Sequence, residues 1–173
     1  MKVRRAESRD YEGLRSLWEE FGRVYTENEL MAPLGIKWYG EYHNEDKMIA
    51  QAAEVSVGES DAGAYGSIAD ASVICYVAED EKGALVGFIQ GRIMVNAEKI
   101  YSKCGFIDDW FVTASARGTG IGKRLWEALM VDFAEVDYLQ LEAYASNPAI
   151  ETYKKLGFVV SEVKMVKKKG EAR

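Results

Sequence analysis

One histidine, two cysteines and two prolines in 173 residues close several chemical routes at once. His43 would have to serve any Ser-His-Asp or Cys-His relay alone, and nothing around it marks activation. The same scarcity argues against zinc, and no metal is expected. Cys75 and Cys104 have apolar or small neighbours and no CxxC or Cys/His spacing, so both read as reduced, buried thiols. No apolar run approaches the roughly 18 to 20 residues of a membrane span. The opening MKVRRAESRDY is basic but leads into charge rather than an apolar stretch, which argues against a secretory signal. A soluble, cytoplasmic protein is expected. Basic residues are outnumbered, 22 against 28 acidic, for a net charge of -6. That disfavours nucleic acid as a partner and mildly favours cationic ligands. The KKK run at 167–169 reads as a solvated strand end.

Apolar residues, at 48% of the chain, suffice for a core, and the length makes one domain over 1–173 the expectation. MKVRRAE reads as a first strand. In the helix that follows, Tyr11, Leu14, Trp18, Phe21 and Tyr25 form one apolar stripe at spacings of three and four. Pro33 and Gly35 break it. Residues 36–57 read as a second helical region, and GESDAGAYGS as a flexible loop. From Ser72 the pattern becomes β: SVICYVAED, a turn at EKG, ALVGFIQGRIMV, then CGFIDDWFVTA. GKRLWEALMVDFAEV is helical, with Ile121, Leu125, Leu129 and Phe133 every fourth residue. YLQLEAYA is a strand, NPAIETYKKLGF a short helix and FVVSEVKMV a last strand. The order β-α-α-β-β-β-α-β-α-β implies an α/β fold: a mixed sheet with helices on both faces.

Glycine is the plentiful punctuator, and ARGTGIGKRL sets three on alternate positions between a strand and a helix. A Walker A loop fails here: Arg117 stands where its first glycine belongs, and Arg124 where Ser or Thr belongs. The dinucleotide fingerprint fails on spacing. What fits is R-x-x-G-x-G, from Arg117 through Gly120 to Gly122. Glycines permit a tight turn and close approach, and the amides opening the following helix suit a pyrophosphate. Further on, Asn147 caps the short helix, Pro148 fits its first turn, and Gly157 ends it before Phe158.

These two motifs together resemble those of the GNAT superfamily of acetyl-CoA-dependent N-acetyltransferases. Arg117 to Gly122 resembles its pyrophosphate motif, and Asn147, Tyr153, Gly157 and Phe158 its later motif. The expected alanine is shifted. The resemblance covers about residues 73–163. It implies a single domain whose mixed, mostly antiparallel sheet splays between two parallel strands, with acetyl-CoA in the gap and no metal. Val112 and Thr113 would meet the pantetheine arm. Arg117, Gly118, Thr119, Gly120, Ile121, Gly122 and Lys123 would hold the pyrophosphate. Asn147 and Tyr153 would lie near the thioester, with Tyr153 as the acid. Homodimers are common in that family.

Asp108 and Asp109 are the candidate bases, because adjacent carboxylates in an apolar strand need water, a cation or a donor nearby. Successive strand residues face opposite sides, so both reach one cleft only if a β-bulge intervenes. Glu142 is a weaker candidate. GFIDDWFV also resembles a strand of diamine and polyamine acetyltransferases, which implies a polyamine-like amine as acceptor; peptide or protein amines and aminoglycosides stay open. Cys104 lacks a base for an acyl-enzyme route. The rival reading is a non-catalytic acetyl-CoA sensor of the same fold.

Overall fold

A computed structural model describes residues 1–26, 73–163 and 165. Five strands form one sheet in the order β1 (Lys2–Arg5), β2 (Ile74–Glu79), β3 (Leu85–Val95), β4 (Lys103–Val112), β5 (Tyr138–Leu141). Neighbours run antiparallel except β4 and β5, which are parallel. The helices are α1 (Tyr11–Thr26), α2 (Ile121–Asp132) and α3 (Ile150–Lys155).

The two stripes predicted from periodicity clothe opposite faces of the sheet. Leu14, Trp18 and Phe21 of α1 are buried against Cys75, Val77, Phe88 and Phe111. Ile121, Leu125 and Leu129 of α2, with Phe133 just beyond it, are buried against Ile74, Ala78, Ile89 and Ile107. A helix stripe recurring every three or four residues and a strand period of two meet in this way whenever each element hides one side. Arg4 fixes the entry to α1: its guanidinium grips Asp10 through two hydrogen bonds and also meets Glu79 of β2. Burial pushes the Asp10 carboxyl up, but hydrogen bonds from Arg4 and the Glu7 amide win and hold it below its ordinary value.

Several expectations need correction. The strand at YLQLEAYA ends at Leu141, where pairing with β4 ends. No strand forms over 159–163; Val159, Val160 and Val163 stand exposed, with no sheet partner among the described residues. Apolar alternation alone does not make a strand without a ladder to join. The second helical region and the loop at 58–67 lie outside the described residues. Asn147 acts two residues before the helix cap, which is Ala149: its side-chain oxygen accepts the Ala149 amide at 2.8 Å, and α3 begins at Ile150.

Candidate active site

The strand β4 carries one residue more than its partner needs. Gln90 pairs with Asp109 and Gly91 with Ile107, so Asp108 is the extra residue of a β-bulge. Ile107 belongs to the α2 face, and unbroken alternation would put Asp109 there too. The bulge resets the phase. Asp109 now shares the α1 face with Phe111, opposite Gln90, whose cross-strand neighbour on the other side is Cys75. Asp108 turns to the same side and pairs with Arg92 of β3. Both predicted acids therefore reach one place.

That place is costly to charge. Asp109 is 8% exposed and Gln90 is fully buried. Burial first, then the neighbouring Asp108 charge, pushes the Asp109 carboxyl up to about 8, against a hydrogen bond from Gln90 Nε2 of 3.2 Å. Burial pushes Asp108 up to about 6, with Arg92 pulling the other way. Two carboxyls with such different proton affinities hold a proton between them near neutral pH, an arrangement suited to acid–base work.

The bulge also stands where the sheet opens. The last parallel pair is Ile107 with Leu141, so β4 continues from Asp108 to Val112 without β5 beside it. Tyr153 of α3 lies beside this stretch of β4, its ring 6.4 Å from that of Trp110 and 6.4 Å from that of Phe158. Burial, then the Asp109 charge, raises the Tyr153 hydroxyl, which keeps its proton through the neutral range. The α3 end that fixes Tyr153 is a Schellman closure. Phe158 N–H donates to the Tyr153 carbonyl and Gly157 N–H to that of Lys154, with Gly157 at a φ of 94°.

On the α2 side a cleft of about 360 Å³ is lined by Trp110, Val112, Arg117, Gly120, Trp126 and Leu156, among others. Trp110 and Trp126 stack at 5.6 Å. One end of the cleft is the glycine loop. Gly118 and Gly120 have φ of 78° and 82°, and Gly120 precedes α2 with no side chain capping it. The first-turn amides of α2, from Ile121 to Lys123, therefore have no partner within the helix and lie at its positive end. Arg117 spends its Nε on the Val112 carbonyl at 3.0 Å, tying the loop to the strand end. Thr113 donates its amide to Val86, and Thr119 its hydroxyl to Ala116. Lys123 is exposed and reaches Glu127 at 3.5 Å. An open glycine cradle, an uncapped helix end and apolar walls fit the pyrophosphate and pantetheine arm of a coenzyme A thioester. Gly120→Val is expected to weaken acetyl-CoA binding about tenfold by calorimetry. A β-branched residue at this φ costs about 1–2 kcal/mol, and relief would turn the amides away.

The remaining predicted residues separate from this group. Glu142 is exposed beyond the end of β5. Cys104 is buried, with its thiol pushed up by burial, which suits no nucleophile. Among the described residues no group of three metal-binding side chains occurs, and no helix is long and apolar enough to cross a membrane. Sequence reasoning passed over Gln90 and Arg92. Their signal was two polar residues, two apart, in an otherwise apolar strand.

The sequence profile of the acetyltransferase (GNAT) family matches residues 14–158. The chain belongs to that family. It is 39% identical over 77 residues to the L-2,4-diaminobutyric acid acetyltransferase of Halomonas elongata, across 43% of this chain and 38% of that protein. The Chromohalobacter salexigens protein of the same name is 40% identical over 77 residues, with the same coverage. The match thus spans under two fifths of these relatives. Among solved structures, a mutant of the BH1408 protein from Bacillus halodurans aligns with a TM-score of 0.72 at 20% identity, covering 97% of this chain and 99% of that one. An aminoglycoside N-acetyltransferase in complex with CoA aligns with a TM-score of 0.62 at 16% identity, covering 97% and 98%. The likeness to these solved structures shows the fold.

Proposed function

We propose that this GNAT-family chain transfers an acetyl group from acetyl-CoA to a primary amine of a small diamine, such as a polyamine or a diamino acid. One observation carries the reading: the bulge turns Asp108 and Asp109 to one side at the point where the sheet opens beside Tyr153. The named relatives, which are diaminobutyric acid acetyltransferases, favour a short diamine over a peptide.

Acetyl-CoA, when bound, supplies an activated acetyl carbonyl. Asp109 takes a proton from the incoming ammonium and so frees the nitrogen lone pair for attack. Asp108 adds negative field at the same spot, attracting the cation and raising the proton affinity of Asp109. The C–N bond forms, the C–S bond breaks, and the nitrogen loses its second proton to water. The Tyr153 hydroxyl donates to the departing sulfur and is reprotonated from water, and Asp109 gives its proton to water to restore the base. In sum, an ammonium and acetyl-CoA become an N-acetyl amine, free CoA thiol and one released proton.

Thiol release from acetyl-CoA, measured with polyamines, diamino acids, aminoglycosides and short peptides, tests the assignment. Release with diamines alone supports it. Release only with peptides or aminoglycosides overturns the acceptor. Tight acetyl-CoA binding with silence across the panel overturns catalysis and favours the sensor. Tyr153→Phe is expected to lower kcat roughly 10²-fold, in the range for loss of a general acid, with acetyl-CoA affinity unchanged by calorimetry. Full activity in that variant removes Tyr153 from the chemistry.

A further inference from the structure

Gln90 is a buried polar residue to which the proposed reaction gives no role. It is fully buried in the middle of β3. Its Nε2 donates to Asp109 Oδ2 at 3.2 Å, and its Oε1 has no hydrogen-bond partner among the described residues. A buried acceptor with no donor is costly, so a core position would ordinarily be filled by an apolar residue. Phe88 and Arg92 flank Gln90 on its face of the strand, and Cys75 lies across from it on β2. Nothing on those neighbours donates to Oε1.

The geometry has a second feature. The amide is held through one end only, so turning it by half a rotation about its last bond gives up no other hydrogen bond. A glutamine is the side chain that presents a donor in one orientation and an acceptor in the other, at the same reach. We infer that Gln90 is a positioning residue whose amide turns over as Asp109 gains and loses its proton. With Asp109 charged, Nε2 donates to the carboxylate, as in this structure. With Asp109 protonated, the carboxyl O–H donates to Oε1. Either state leaves one carboxyl oxygen directed away from Gln90, and the acid is held in place in both halves of the cycle. No covalent bond changes; one proton stays on Asp109 or leaves it, and the amide follows.

The charged and titratable groups around Asp109 among the described residues are Asp108 beside it, Arg92 on β3, Cys75 on β2 and Tyr153 on α3. Asp108 favours the protonated state and Arg92 the charged one. Gln90 is the neutral member of the set that can serve both, and its loss removes a charge-assisted bond from the anion and a neutral bond from the acid. The former is the stronger, so the apparent proton affinity of Asp109 should rise without Gln90.

The inference rests on Asp109 being the base, and the test keeps the two claims apart. In the uncomplexed 173-residue chain, side-chain amide NMR of ¹⁵N-labelled glutamines is followed against pH, with Gln90 assigned by its absence in Gln90→Met. The Gln90 amide resonances should move in one step with the ¹³C-labelled Asp109 carboxyl, and that step should vanish in Asp109→Asn. Gln90→Met, close in volume, should shift the rising limb of kcat against pH upward and lower kcat at pH 7 about tenfold. The KM for acetyl-CoA should not change. These assays use acetyl-CoA with L-2,4-diaminobutyrate or 1,4-diaminobutane as probe amines. A Gln90 amide that does not titrate, or a Gln90→Met profile matching wild type while Asp109→Asn is inactive, overturns the role of Gln90 and leaves the base in place. A fully active Asp109→Asn overturns the base itself.

Discussion

Asp109→Asn is expected to lower kcat by about 10²- to 10⁴-fold and, at the same time, to raise the melting temperature. Both effects come from one source. The carboxyl sits in a buried position and is pushed up to about 8 from an ordinary 3.8. In the unfolded chain it releases its proton near 4, whereas in the folded chain it keeps it until about 8. Across that window the folded state binds more protons than the unfolded state, so stability falls as pH rises and levels off above about 8. Asparagine cannot ionise, and its amide oxygen can still accept from Gln90 Nε2. The variant should therefore gain little at pH 5 and most at pH 9, by about 5 °C for a chain of this size. Activity runs the other way. The base is competent only when unprotonated, so wild-type turnover should climb as pH rises through about 8, and this limb should be missing from whatever turnover Asp109→Asn retains. Calorimetric melting at pH 5 and pH 9, with thiol-release rates over the same range, checks both halves. A variant that is as active as wild type, or that melts lower at pH 9, would sink the account. Loss of function joined to gain of stability is the signature of a strained functional site.

How much of this was legible in the chain differs by kind of feature. The helices α1 and α2 could be read because each repeats an apolar residue every third or fourth position, and that repeat is set by the core it covers. The glycine loop could be read because positive φ at Gly118 and Gly120 leaves few other residues suitable. Asp108 and Asp109 could be named, but not aimed. Alternation separates them, and what reunites them is a register shift against β3, a property of two strands that neither carries alone. Gln90 and Arg92 were missed for the same reason: each gains meaning only from the residue across the ladder. The strand expected from Phe158 onward does not form over the described residues for a related cause, since a strand is completed by a partner that its own sequence does not supply. Local pattern thus disclosed elements and loops, while the site arises from pairing.

That pairing is guarded by Gly91, and Gly91→Ala should be the most damaging small substitution in the sheet. A methyl at this position would lie 2.5 Å from the Phe106 carbonyl oxygen and 2.9 Å from Phe133 Cζ. The second contact is with the tip of a side chain, which can swing. The first is with backbone of the adjacent strand, directly beside the bulge, and cannot yield without shifting β4. Overpacking of this kind costs about 1–3 kcal/mol and occasionally more, which corresponds to a fall in Tm of about 5–10 °C. Gly105 provides the contrast. Its added methyl would meet Phe133 Cδ2 at 2.6 Å and Leu139 Cδ2 at 2.9 Å, both side-chain atoms. Phe133→Leu should therefore recover much of the loss in Gly105→Ala and little of it in Gly91→Ala. Activity should separate the two sites further. Displacing the Phe106 carbonyl disturbs the register that brings Asp108 and Asp109 together, so Gly91→Ala should turn over slowly even at temperatures where it is fully folded. Gly105→Ala with Phe133→Leu should keep most of its kcat. Thermal melts and thiol-release rates on the four variants decide the matter. If Phe133→Leu restores Gly91→Ala in both stability and rate, the bulge is set by packing under α2 and not by the backbone contact between β3 and β4.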